Sequence, residues 1–291
     1  MFFFFFYPNS WYNLKTFLST GPTSNCSIIR GYCPNCGIAP ISVDGIKIVN
    51  GTLAAENEYP YQVVISSDIG NCGGSIIKKK WVLTAAHCLA NSDGNKATLS
   101  TLKVGYGSSN RQDQISVSVV RYIVHENFNP FLAGDQLLLG DSDIALIELQ
   151  SELNFETSAA VKPICLGEES DIVSGRQAVV SGWGDLFSGA GDLQIHLREV
   201  ALEVLSTSYC KALSQRPDVS KVVCTLKMSK SFCQGDSGGP LVVKTCLGTW
   251  VQIGIVSYAS GCADKNHPGV YTRVPSFRTW IDTQTGSSTA C

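Results

Sequence analysis

The chain has 291 residues, 44% hydrophobic and 16% charged, which is enough apolar material for one or two folded units. A net charge of −2 argues against a polyanionic partner, so no nucleic acid is expected, and no segment is long enough to span a bilayer as a helix. Twelve cysteines are hard to reconcile with a reducing compartment and point to a secreted, disulfide-bonded protein.

Met1 is followed by five phenylalanines, Tyr7, Pro8 and Asn9. A secretory leader needs a basic start and a longer apolar run, so residues 1–25 read as an unusual leader or a misassigned start, and not as fold. Cys33-Pro34-Asn35-Cys36 has the spacing of a zinc or redox pair. It lacks a second pair or a nearby histidine, so no metal is expected there. From Tyr61 the pattern is short strands and glycine-rich turns. Tyr61–Ser66 is apolar, and Gly73–Ile77 leads into a second strand. Ile115–Val124 is β-branched and alternates, and Ile144–Leu149, Ala178–Ser181, Leu241–Val243 and Val251–Val256 read likewise. A helix is predicted over Val274–Thr283, where Phe277, Trp280 and Ile281 fall at helical spacing. Together these elements predict an all-β barrel or sandwich.

Three stretches carry chemistry. Cys233-Gln234-Gly235-Asp236-Ser237-Gly238-Gly239-Pro240 sets a hydroxyl among glycines and an aspartate. A serine hydroxyl becomes a good nucleophile only when a base takes its proton. The Gly235 and Ser237 N–H groups are suited to an oxyanion. Thr84-Ala85-Ala86-His87-Cys88 offers the base, and Asp143-Ile144-Ala145-Leu146 an aspartate to orient it. Asp141 lies two residues away but does not precede the apolar run. His125, His196 and His267 stand in no such motif and read as surface or loop residues. The chain order His87, Asp143, Ser237 resembles that of the chymotrypsin-fold (trypsin-like) serine proteases, over about 240 residues from Ile48 onward.

The resemblance implies two antiparallel six-stranded β-barrels with a C-terminal helix and the site between them. The N-terminal barrel would span about 48–160 and the C-terminal barrel about 161–291 of a protease domain over 48–291, after an extension or propeptide over 1–47. It implies cleavage after Lys47, which frees the Ile48 ammonium of Ile48-Val49-Asn50-Gly51 to pair with Asp236. It implies the disulfides Cys72–Cys88, Cys210–Cys224, Cys233–Cys262 and Cys36–Cys165, the last keeping the propeptide attached. Cys26, Cys33, Cys246 and Cys291 are left without an assigned pairing. A further family bridge is missing at both of its positions, Ala178 and Val243.

Six residues before Ser237 (237 − 6 = 231) the base of the family's primary pocket holds Ser231, not a carboxylate. The walls map to Ser257, Tyr258, Ala259 and Gly269, with Phe232 beside the base and Asp264 nearby. An uncharged pocket implies cleavage after apolar residues and not after Arg or Lys. The loop Ser108–Gln114 offers only Asp113 as a carboxylate, too few hard ligands for calcium, so neither a metal nor another cofactor is expected. The interval from His125 to Asp143 is long (143 − 125 = 18), and the added residues, about Phe131–Gly140, would overhang the substrate side of His87. The expected partners are protein or peptide substrates, an activating protease and protein inhibitors, acting on a monomer. The competing reading is a catalytically silent protease homologue that serves as a binding or regulatory module.

Overall fold

The structure is a computed structural model that describes residues 36–39, 51–129, 142–185, 193–214, 216, 218–226, 233–258 and 267–286. Short β1 (Thr52–Leu53) is followed by β2 (Gln62–Ser67), β3 (Gly70–Lys78), β4 (Trp81–Thr84), β5 (Lys103–Tyr106), β6 (Ile115–Val124) and β7 (Ala145–Leu149). β2 to β7 close into one antiparallel barrel in the order β2-β3-β4-β7-β6-β5. The alternation in Ser116-Val117-Ser118-Val119 works as a pleat: Val117 and Val119 are buried, Ser116 is exposed and Ser118 half-buried, while Ile115, at the start of the strand, stays exposed on the inward-facing register. Four of the five residues of β7 are buried, because it lies centrally between β4 and β6.

β8 (Cys165–Leu166), β9 (Gln177–Gly182), β10 (Arg198–Val204), β11 (Val222–Leu226), β12 (Pro240–Lys244), β13 (Trp250–Tyr258) and β14 (Gly269–Arg273) follow. The run β10-β11-β14-β13-β12-β9 is closed by pairing of β9 with β10, which makes the second six-stranded barrel. β1 and β8 attach to it from outside. Helix α1 (Thr207–Ser214) precedes β11, and α2 (Arg278–Thr285) ends the described chain. The fold is two closed antiparallel barrels with a C-terminal helix.

The helix starts later than its hydrophobic spacing suggests. Val274–Phe277 is a 3-10 turn with Pro275 in its first turn, where the missing N–H loses no partner, and the α-helix begins only at Arg278. Trp280 and Phe277 then pack on His125, with ring centroids 5.0 and 5.2 Å away. His125 is therefore a core residue, not a surface one, and burial lowers its pKa. Its backbone N–H also pairs with Ile144 O at 3.1 Å. His196 and His267 are exposed.

One continuous apolar cluster joins the barrels, taking Val63 and Leu146 from the first and Val242 and Ile255 from the second. Two buried neutral hydrogen bonds cross the same junction. Ser75 Oγ donates to Gln252 Oε1 at 2.7 Å, and Ser181 Oγ donates to Gln62 Oε1 at 2.8 Å. Disulfides join Cys36 to Cys165, Cys72 to Cys88 and Cys210 to Cys224. Cys233 is also disulfide-bonded; its expected partner Cys262 lies outside the described residues.

The register that pairs Leu241 with Val180 and Val242 with Val179 brings Val243 beside Ala178, and both are fully buried. Facing strand positions of this kind suit a disulfide. The double change Ala178→Cys/Val243→Cys is expected to close a bridge when the protein folds in an oxidising medium, removing both new thiols from thiol titration. The bridge should stabilise the domain by about 2–4 kcal/mol relative to the wild type when both are denatured under oxidising conditions. Two persistent free thiols in the folded protein would contradict the register.

Candidate active site

Asp143 precedes β7 and is completely buried. A charge in such a place must be paired and hydrogen-bonded. His87 Nδ1 lies 2.8 Å from Asp143 Oδ2, the His87 backbone N–H donates to Oδ1 at 2.9 Å, and Ser257 Oγ donates to Oδ2 at 2.6 Å. Burial pushes the Asp143 carboxyl up, but the imidazole and the donated bonds outweigh it and hold the pKa below the ordinary carboxylate value. Burial opposes charge on His87 too, and the facing carboxylate outweighs it and raises the imidazole pKa. His87 sits in a 3-10 turn, Ala86–Cys88, directly after β4, and the Cys72–Cys88 disulfide closes that turn onto β3. Cys72, Cys88 and His87 converge within 4.8 Å, but both sulfurs are committed to the disulfide and offer no thiolate to a metal.

Ser237 comes from the other barrel, in the loop before β12, and is partly exposed. Its carbonyl accepts the Gly73 N–H at 2.7 Å. Gly238, at φ +79°, makes this approach possible: a Cβ there would lie 2.2 Å from Thr84 Oγ1 and 3.1 Å from Cys88 Sγ. That sulfur is 3.9 Å from His87 Nε2. The Ser237 loop is thus pressed onto the wall that carries the histidine.

Asp236 points the other way, into the second barrel. Gly184 N donates to Oδ1 at 2.8 Å and Cys233 N to Oδ2 at 2.9 Å. Gly182 and Gly184 form its cradle, for a Cβ on either would come within 2.6 Å of a carboxylate oxygen. Burial, which outweighs both bonds, together with nearby Asp185, pushes the Asp236 carboxyl up to about 6.

Of the expected pocket walls, Gly269 is buried at the head of β14, and Tyr258 ends β13, where its Oη lies 3.1 Å from Nη1 of the buried Arg216. Ser257 is buried against Asp143. Its bond to the carboxylate went unseen in the sequence, as did the Gly182–Gly184 cradle, because each depends on a contact between strands far apart in the chain. Lys47, Ile48, Ser231, Phe232, Ala259, Asp264 and the loop 131–140 lie outside the described residues.

A family model described as Trypsin matches residues 48–281. The chain belongs to the trypsin family of chymotrypsin-fold serine proteases. It is 36% identical over 244 residues to trypsin of Sus scrofa, a match covering 82% of this chain and 95% of that one. It is 34% identical over 279 residues to the serine proteinase Stubble of Drosophila melanogaster, covering 90% of this chain and 34% of that protein. It is 34% identical over 272 residues to transmembrane protease serine 11B of Homo sapiens, covering 91% of this chain and 60% of that one. The chain therefore spans about a third and about three fifths of these two longer relatives. The family and the disulfides fit an extracellular protein. Among the described residues no helix is long and apolar enough to cross a membrane.

The raised Asp236 pKa has a measurable consequence. A carboxyl whose folded pKa exceeds its unfolded one adds stability below pH 4 that is lost as pH rises through about 6. In the uncut chain, the melting temperature of the wild type relative to Asp236→Asn should therefore fall between pH 4 and pH 7. The difference over this interval corresponds to about 2 kcal/mol. A difference that stays flat over this range would mean that Asp236 is not held at high pKa.

Proposed function

We propose that this protein is a secreted serine endopeptidase, made as a zymogen, that hydrolyses peptide bonds through an acyl-enzyme. The observation that carries the reading is the His87–Asp143 pair, 2.8 Å apart and fed by Ser257, with the Ser237 loop pressed against it. His87 Nε2 takes the hydroxyl proton as Ser237 Oγ attacks the peptide carbonyl carbon. The carbonyl oxygen becomes an oxyanion, met by the N–H groups of Gly235 and Ser237. When the C–N bond breaks, His87 returns the proton to the leaving amine. Water, deprotonated by the same imidazole, then cleaves the ester and frees Ser237. Asp143 holds the tautomer with Nε2 free to accept and stabilises the imidazolium.

Topology supports the zymogen reading. Leu53 pairs with Arg198, and Arg198 with Gly182, so the chain at Leu53 runs two strand spacings, about 10 Å, from the Asp236 cradle. Arg198 Nη2 holds Gly51 O at 3.0 Å, and Thr52 Oγ1 donates to Glu199 at 3.0 Å, which anchor this entry. Ile48 stands five residues before Leu53, a reach of about 16 Å when extended. A new Ile48 ammonium could therefore arrive at Asp236. Pairing with it would draw the raised carboxyl pKa back down and order the oxyanion loop.

His87 must be neutral to act as base, and the facing carboxylate holds its pKa above that of an ordinary imidazole. In the cut protein, kcat/KM should accordingly rise with pH through a midpoint above that of a free imidazole. Ser237→Ala, His87→Ala and Asp143→Asn should each lower turnover by several orders of magnitude, and combined changes by little more. Losses of this size are general for Ser-His-Asp triads, whose members act as one unit. A correctly folded wild type, cut at Lys47–Ile48, that neither cleaves peptides nor takes up a fluorophosphonate would instead be the silent, binding homologue.

Specificity follows from Ser231. A lysine or arginine side chain entering an uncharged pocket loses hydration without gaining an ion pair. Matched peptides varying only the residue before the cut should show kcat/KM at least about a hundredfold lower for Arg and Lys than for Phe, Tyr or Leu. If Phe232 fills the pocket, Leu, Val and Ala should lead, and Phe232→Gly should restore the aromatic preference. A preference for Arg or Lys would assign the pocket base to another residue, with Asp264 the first to test.

A further inference from the structure

The segment Leu193–His196 reaches the site without belonging to a barrel strand, since β10 begins only at Arg198. Backbone carbonyls in such a segment need partners, and one residue of the other barrel supplies three of them. The Arg111 N–H donates to Ile195 O at 2.8 Å, its Nε to Gln194 O at 3.3 Å and its Nη2 to Leu193 O at 3.5 Å. A planar guanidinium can serve two successive carbonyls at once, which a lysine ammonium on its flexible stem does poorly. The mounting is firm: Asn110 bridges to His196, and Ser109 O accepts both the Leu197 N–H at 2.8 Å and the Trp183 indole at 2.9 Å. On the far side, Gln194 N donates to Trp183 O at 2.7 Å.

Leu193, held this way, occupies a particular space. Gly235 is at φ +90°, and a Cβ there would fall 2.3 Å from Leu193 Cδ2. The Leu193 side chain fills the volume that the missing Gly235 side chain leaves, and Gly184 Cα, 3.2 Å from the same point, closes the other side. The Gly235 Cα therefore lies between a leucine and a glycine backbone, while the peptides on either side of it are held by the Asp185 N–H on Gln234 O at 2.8 Å and by the Asp236 N–H on Cys233 O at 3.0 Å.

We propose that Arg111 is a positioning residue which, by clamping the Leu193 and Gln194 carbonyls, presses the Leu193 side chain onto Gly235 and so fixes the loop that presents the oxyanion donors. The proposal rests on the reading of Gly235 and Ser237 as those donors. Arg111 touches no reacting atom and acts only through Leu193.

The test uses the full chain, cut at Lys47–Ile48, as wild type, Arg111→Met, Leu193→Ala, Leu193→Met and the double variant Arg111→Met/Leu193→Ala. A peptide aldehyde, whose hemiacetal oxygen needs the oxyanion donors, is compared with a product-length peptide ending in a primary alcohol, which has no carbonyl or anionic oxygen to offer them. Arg111→Met and Leu193→Ala should each lower kcat and aldehyde affinity together, on the order of tenfold, with KM and alcohol affinity unchanged. The double variant should lose no more than the worse single one, because the two residues act in series. Leu193→Met, of similar volume, should restore both quantities. Backbone amide exchange over 233–239 should quicken in both single variants, a readout that needs no turnover. Wild-type aldehyde affinity in either single variant, equal losses for aldehyde and alcohol, multiplicative losses in the double variant or unchanged exchange over 233–239 would each overturn the proposal. An inactive wild type in which Arg111→Met still quickens exchange over 233–239 would sink the peptidase reading and leave the clamp standing.

Discussion

One fully buried carboxylate sets the terms for the site. Asp143 carries its charge at zero exposure, and it can do so only because donors reach it from both barrels. His87 approaches from the turn after β4, and Ser257 from β13 of the other barrel. The Asp143 carbonyl is engaged as well, by Thr272 Oγ1 of β14 at 2.7 Å. If the barrels were displaced, two of these four bonds, from Ser257 to the carboxylate and from Thr272 to the carbonyl, would fail, and the charge would rest on His87 alone. The carboxylate therefore serves as a joint between the barrels as well as the orienter of an imidazole.

Two enclosed acids, Asp143 and Asp236, lie to either side of the Ser237 loop and differ in kind. Asp143 has a cationic partner within reach and is stabilised in its charged form. Among the described residues Asp236 has two backbone donors, and these fall short of what burial costs it. The contrast comes from neighbours and not from depth, since both carboxylates are enclosed. An acid left short of a partner is what a latent enzyme would need if a later cationic end is to switch it.

What could be read in the sequence was what the chain states locally. The glycine-rich nucleophile stretch, the alternation of Ile115–Val119 and the apolar run over Ile144–Leu149 each declare themselves within ten residues. β10 was missed, because Arg198-Glu199-Val200-Ala201 sits half-buried between β1 and β9 and carries little apolar signal. α1 was missed too: of its eight residues only Cys210 is buried. His125 was misread because nothing near it in the chain shows that Phe277 and Trp280, about 150 residues on, will close over it. The roles of Ser257, Gly182 and Gly184 were hidden for the same reason. A hydroxyl or a glycine looks alike in any turn until a partner from another strand is in view.

The seam between the barrels is not purely oily. The Ser75–Gln252 and Ser181–Gln62 hydrogen bonds lie where water does not reach. Parting the barrels would expose their apolar cluster and, until water entered, leave four polar side chains without partners. Neither barrel thus has an inexpensive route to melting while the other stays intact. The domain should absorb heat in a single sharp calorimetric peak, with the van't Hoff and measured enthalpies in agreement, despite a layout that looks like two halves. A cleft laid across such a seam keeps its shape until the whole molecule gives way.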